Sequence, residues 1–175
     1  DWAVVYNVSQ ERVGVSFAAG WQPNDFVMAP DVFASRKEEM FDRIEVVRRL
    51  WRGESVAFDS PLGGSVEIKT RPSPIQAEIP VWVTAAGNPE TFEQAGELGC
   101  RLLTHLLGQN LTDVATKISL YRAAWRKAGH AGSGHVTMML HTFVGDDEEV
   151  VRETVRGPMK AYLRSAVDLV RQAAW

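Results

Sequence analysis

Val81-Trp82-Val83-Thr84-Ala85-Ala86-Gly87-Asn88-Pro89-Glu90-Thr91 runs from a short apolar stretch straight into a helix start. Apolar residues with no regular polar alternation read as a strand buried on both faces. Asn88 is an N-cap residue, and Pro89 suits the first helical position, where its missing N–H costs nothing. Gly99 stops that helix. A buried strand feeding a helix is half of a parallel βαβ unit, and the rest of the chain repeats the pattern.

Upstream, residues 13–18 form a buried strand and residues 35–51 a helix. Met40, Ile44, Val47 and Trp51 share one helical face, and Gly53 ends it. Residues 56–58 and 65–69 alternate apolar and polar around Gly63-Gly64, a β-hairpin excursion. Pro72, Pro74 and Pro80 mark an extended connector. Downstream, residues 101–104 form a third, very short strand. Asn110 opens a helix to Ala128, with Ile118, Tyr121 and Trp125 on one face. Residues 135–144 form the fourth and longest strand. Asp146 and Glu149 make an acidic capping box, and Pro158 starts a new helix after a break at Gly157.

Val13, Trp82, Leu102 and Val136 are therefore expected to open four mutually parallel strands. Two α/β architectures fit: a doubly wound open sheet, or part of a (β/α)₈ barrel, which needs about 250 residues when complete. The chain has 175 residues. Its first residue is Asp1, so the expectation is a piece of something longer.

The composition is that of a soluble globular chain: 45% apolar, 23% charged, with six tryptophans. Disorder is excluded. No apolar run reaches the roughly 20 residues a membrane span needs. The net charge of −3 gives no footprint for nucleic acid or an anionic membrane. Cys100 is the single cysteine, which excludes an intrachain disulfide and fits a cytoplasmic chain.

The loop after residue 84 is the first candidate site. Free N–H groups and the helix dipole hold a phosphate at such a place, Gly87 lets the backbone approach closely, and the Thr91 hydroxyl adds a bond. The same residues also suffice for an ordinary helix start, and Glu90 brings a like charge. The second candidate is Ser16-Phe17-Ala18-Ala19-Gly20-Trp21-Gln22-Pro23-Asn24-Asp25-Phe26. Small residues ending a strand, followed by aromatics, suit the floor and wall of a planar-ligand pocket, or equally a packed loop with Trp21 in a minicore.

Thr104-His105-Leu106-Leu107-Gly108 also follows a strand. His105 is either a ligand donor or acid–base group, or a core histidine satisfied by backbone. His141 and Thr142 lie near the end of the last strand on opposite faces, so only one can face a barrel interior, and His141 is a weaker candidate of the same kind. His130, at a helix carboxyl end, reads as structural, and His135 as lying at the opposite end of its strand. Cys100 reads as an inert thiol, with Arg101 beside it favouring the thiolate. Arg48, Arg49 and Arg52 read as a solvated helix face. No zinc-ligand spacing, nucleophile elbow, P-loop or dinucleotide glycine fingerprint is present.

Taken together, these segments resemble the bacterial luciferase-like flavin monooxygenases. Glu11-Arg12-Val13-Gly14-Val15-Ser16-Phe17-Ala18-Ala19-Gly20-Trp21 resembles their fourth-strand region. Residues 82–92 with Ala95-Gly96-Glu97-Leu98-Gly99 resemble their flavin-phosphate strand and helix. Residues 103–109, residues 140–147 and Pro158-Met159-Lys160-Ala161-Tyr162-Leu163 resemble the subgroup attached to nonribosomal peptide and polyketide assembly lines.

The resemblance implies a single domain over residues 1–175. It would be the carboxyl-terminal part of a TIM barrel, about four β/α units from the fourth strand onward, with a β-hairpin insertion and the first three strands absent. It implies reduced FMN with O2 as co-substrate, a separate flavin reductase, and a small or carrier-bound substrate in natural-product biosynthesis. Carried over, Ala86, Gly87, Asn88 and Thr91 hold the FMN phosphate, Ala18, Gly20 and Trp21 lie by the isoalloxazine, and His105 with Leu106 wall the same mouth. The family's catalytic histidine belongs to an early strand, so no catalytic residue is assigned here, and no metal. Two other readings stand beside this one: a non-catalytic half-barrel acting as an association module, and a deazaflavin-dependent member of the same superfamily. Half a barrel has two open edges, so a homo-oligomer or a complementing half-barrel is expected.

Overall fold

A computed structural model describes residues 1–172 of the chain, with side chains through residue 167. The described residues fall into two compact units. Asp1–Ala19 with Arg36–Met139 make the first, and Gly20–Ser35 with the residues from Leu140 onward make the second.

The first unit is built on one parallel sheet. Its strands are β1 (Val15–Phe17), β4 (Val81–Thr84), β5 (Arg101–His105) and β6 (Val136–Met139). They lie side by side in the order β1-β4-β5-β6, every pair parallel. Strand order follows chain order, with no reversal at which a doubly wound sheet would change direction. The winding is that of a barrel, left open at β1 and β6. Between β1 and β4 the chain forms α2 (Arg36–Trp51) and the antiparallel hairpin β2 (Val56–Asp59) and β3 (Ser65–Ile68), whose turn places Gly63 and Gly64 at positive φ.

Register sorts the sheet into two faces. Val81, Val83, Ala85 and Leu102 are buried with Phe92, Ala95 and Tyr121 from α3 (Pro89–Glu97) and α4 (Leu111–Lys127). This apolar layer is what holds the helices on the sheet. Ser16, Trp82, Thr84, Leu103 and His105 share the opposite face. There Trp82 reaches across β5, its Nε1 donating to Thr137 Oγ1 at 3.1 Å, while Arg101 lies over its ring. Gly14 passes so close to that ring that a Cβ would stand 2.1 Å from it.

Several expectations need correction. The first strand opens at Val15, not Val13, because Val15 is where pairing with β4 begins. β5, expected to be the shortest of the four, is the longest at five residues. β6, expected over residues 135–144, stops at Met139, the partner of His105. β5 ends at His105, so residues 140–144 have no continuation of β5 to pair with.

The other corrections concern helices. Pro158 does not start a new helix: it lies inside α5 (Glu148–Gln172). Proline removes one N–H, and here the turn is exposed, so water can take the Thr154 carbonyl it leaves free. The cap of α5 is Asp147, whose Oδ1 accepts from Val150 N–H at 2.8 Å, and not the Asp146–Glu149 pair. A helix not anticipated, α1 (Trp2–Val8), buries Tyr6 edge-on against Trp51 of α2, with the Tyr6 hydroxyl on Gln76 Oε1 at 2.8 Å.

Candidate functional site

The loop joining β4 to α3 lies at the carboxyl end of the sheet. Asn88 caps α3 as expected, its Oδ1 accepting from Glu90 N–H at 2.8 Å. The N–H groups of Gly87 and Asn88 donate to no described residue. Thr91, at the third helical position, is only 8% exposed, yet its hydroxyl has no hydrogen-bond partner among the described residues. A Cβ built on Gly87 meets nothing within 4 Å, and its φ is not in the left-handed region. Neither packing nor backbone conformation within the chain requires glycine there. A ligand approaching the backbone would.

Behind this loop lies a residue that sequence reasoning missed. Lys117 of α4 is 9% exposed and donates to Ala86 O at 2.8 Å, Gly87 O at 3.5 Å and Gln109 Oε1 at 2.5 Å. Gln109 in turn donates to the His105 carbonyl and to Thr104 Oγ1. Lys117 and Gln109 therefore tie the loop after β4 to the loop after β5. The signal was present: Lys117 stands on the α4 face that buries Val114, Tyr121 and Ala124. A lysine on an apolar stripe is seldom there unless its charge is used.

His105 is the last residue of β5, on the sheet face shared with Ser16 and Thr84. Its Nδ1 accepts from Leu107 N–H at 3.1 Å. That bond uses Nδ1 as an acceptor, which leaves Nε2 as the ring's donor. Both readings of this histidine thus hold in part: one nitrogen is satisfied by backbone, and the other is fixed as a donor. Leu106 follows, half-buried. Ala18 comes directly after β1, exposed at the same end of the sheet. Ser16 and Thr84 share a hydroxyl bond of 2.7 Å there.

Gly20 and Trp21 belong to the second unit. Gly20 has φ +75°, and a Cβ would stand 2.8 Å from the Phe26 ring, so its own loop requires it. Phe26 packs edge-on against Phe33 at 5.1 Å, and Trp21 is 41% exposed. The minicore of this loop is therefore built on Phe26 and Phe33.

The remaining histidines are placed as follows. His130 Nε2 lies 2.8 Å from Glu97 O and its ring packs on Trp125, a structural role. His135 immediately precedes β6, its carbonyl accepting from Leu102 N–H. His141 and Thr142 lie beyond the end of β6, not on it, and His141 stacks on Tyr162 at 4.5 Å. Burial pushes the Cys100 thiol up, more than Arg48 pulls it down. That arginine, and not Arg101, donates to the sulfur, at 3.3 Å. A cleft of about 460 Å³ opens at the other end of the strands, beside Arg52, Glu78 and Arg101. Arg52 is already paired there with Glu45, Glu54 and Glu78, so the cleft reads as structural.

Among the described residues, no cluster of histidine, cysteine and carboxylates could hold a metal, and no helix is long and apolar enough to cross a membrane.

The family model described as luciferase-like monooxygenase matches residues 1–174. An uncharacterized protein of Mycobacterium tuberculosis (strain H37Rv) is 25% identical over 130 residues, covering 74% of this chain and 45% of the relative. Among solved structures, monooxygenase RslO1 from Streptomyces bottropensis superposes with TM-score 0.78 at 24% identity, over 95% of this chain and 51% of that one. The oxygenating constituent of 3,6-diketocamphane monooxygenase from Pseudomonas putida, in complex with FMN, gives 0.70 at 15% identity, over 87% and 46%. An F420-dependent secondary alcohol dehydrogenase gives 0.68 at 22% identity, over 88% and 47%. These likenesses establish the fold. The chain spans about half the length of the proteins it matches.

Proposed function

This chain belongs to the luciferase-like monooxygenase family, and on that footing we propose that it is the flavin-phosphate-binding, carboxyl-terminal half of an FMN-dependent monooxygenase. The substrate is a small or carrier-bound metabolite of natural-product biosynthesis, oxidised in the cytoplasm with O2. Reduced FMN comes from a separate reductase. The chain pairs with a second copy or with a complementing half-barrel.

The observation that carries this reading is the loop at residues 86–91. It combines two unclaimed N–H groups, the hydroxyl of Thr91, which no described residue claims, and a glycine with no other reason to be one. A phosphate satisfies all three at once. Gly87 and Asn88 donate from the backbone and Thr91 from its hydroxyl. Ala18 leaves the carboxyl end of β1 uncrowded. The fixed Nε2–H of His105 orients an acceptor on the ligand, and Leu106 adds an apolar wall. Reduced flavin, when bound, supplies the electrons for oxygen activation.

Flavin fluorescence quenching on titration tests the proposal. Losing one charge-assisted bond costs about 1.5–3 kcal/mol, roughly 10- to 150-fold in affinity. Thr91→Ala is expected to weaken FMN by about that factor and Gly87→Val by more, while His130→Ala leaves binding unchanged. If both loop variants bind FMN like the parent, the loop is an ordinary helix start. Parallel titration with the deazaflavin F420 decides which flavin the site takes.

A further inference from the structure

Lys117 raises a question that the flavin reading leaves open: why a charged side chain is buried where no carboxylate pairs with it. Its three acceptors are all neutral oxygens: Ala86 O, Gly87 O and Gln109 Oε1. The lysine ammonium has three N–H donors to offer these three acceptors. Among the described residues, the salt bridges include none to Lys117 within 4.0 Å, and the nearest aromatic contact is the Phe92 ring at 5.7 Å. A buried cation without a counter-charge is costly unless something neutralises it.

The backbone geometry shows what its position achieves. In a trans peptide the carbonyl and the following N–H point in opposite directions. Lys117 draws the Ala86 and Gly87 carbonyls to one side, so the N–H groups of Gly87 and Asn88 are turned to the other. Those two groups are the ones that donate to no described residue. Resting on the reading of this loop as a phosphate site, we propose that Lys117 is its positioning residue. The ammonium aims the two N–H donors at an anion and supplies the positive charge behind them, which the anion neutralises. Through Gln109, the same ammonium holds the His105 carbonyl, so the two loops are set together.

The test uses inorganic phosphate as the probe and the thermal stability of the whole chain as the readout, with chloride at equal ionic strength as reference. Phosphate is expected to raise the melting temperature of the parent. Lys117→Gln and Lys117→Met weaken the phosphate response about 10- to 100-fold in apparent affinity. Lys117→Arg keeps most of it, and the exposed Lys127→Gln keeps all of it. Each variant is compared with its own phosphate-free baseline, so a simple loss of stability does not mimic the effect. If the neutral variants do not fold, Lys117→Arg decides, and loss of the phosphate response in it overturns the proposal. An undiminished response in Lys117→Gln, or no response in the parent, overturns it as well. FMN titration of the same proteins separates the two readings. Phosphate binding that depends on Lys117, without FMN binding, sinks the flavin reading and leaves this one standing. FMN binding that ignores Lys117 does the reverse.

Discussion

The hydroxyl of Tyr121 joins the starts of two strands to one helix. Fully buried, it donates to Cys100 O at 3.1 Å and accepts from His135 N–H at 3.2 Å. Burial holds its pKa above 10.0, and burial likewise raises the neighbouring Cys100 thiol above 9.0. Both groups are neutral when protonated, so the fold favours the proton-bound form. Their contribution to stability is complete below the ordinary values. It is lost as pH rises from about 9 through the raised folded values, because the unfolded chain releases its protons first. Denaturant melts between pH 8 and 11 are expected to show stability falling in that window. Cys100→Ala flattens the earlier part of the fall and Tyr121→Phe the later part. Tyr121→Phe also leaves the buried Cys100 carbonyl without this donor, lowering stability by about 1–3 kcal/mol at neutral pH. A melt independent of alkaline pH would contradict the burial argument.

Helices α3 and α4 meet through a glycine. A Cβ on Gly96 would stand 2.4 Å from Tyr121 O and 3.0 Å from Trp125 N, both backbone atoms that cannot swing aside. Alanine is the better helix former by about 1 kcal/mol, but here overpacking costs about 1–3 kcal/mol. Gly96→Ala is therefore expected to lower the melting temperature by several degrees. An unchanged or higher value would show that the two helices are not held this closely.

The same pair of helices shows what was legible in the sequence. The stop at Gly99 and the cap at Asn88 depend on neighbours in the chain and could be read directly, as could the N-cap at Asn110. The four parallel strands were legible as apolar runs. The end of β6 was not, because Leu140, Phe143 and Val144 are still apolar and the ladder ends where β5 offers no further partner. Pro158 signalled a break that an exposed turn tolerates. In the candidate site, Gly87, Asn88 and Thr91 were legible from local helix-start chemistry. The roles of Lys117 and Gln109 were not, since the bonds that define them join separate loops.

At the scale of the whole molecule, the unclosed sheet sets the last expectation. Among the described residues, β1 pairs only with β4 and β6 only with β5, so each has one row of backbone N–H and C=O groups without a neighbouring strand. Parallel sheets are otherwise found buried on both faces, and open edges recruit another strand. The face shared by Trp82, Leu103 and His105 ends at Met139, which is 55% exposed. A related barrel would close this sheet with further strands, and the solved relatives are about twice as long as this chain, which covers 51% and 46% of two of them. The chain is therefore expected to associate, with itself or with a complementing half, and to gain stability as it does so. Sedimentation velocity over a concentration series checks the self-association arm: the sedimentation coefficient rises with concentration, and the melting temperature rises with it. Adding a polypeptide that carries the amino-terminal strands of a related barrel checks the other arm, where a stoichiometric complex and a sharper melt are expected. A monodisperse monomer that melts cooperatively at the same temperature at every concentration, and ignores the added half, would show that these edges need no partner strand.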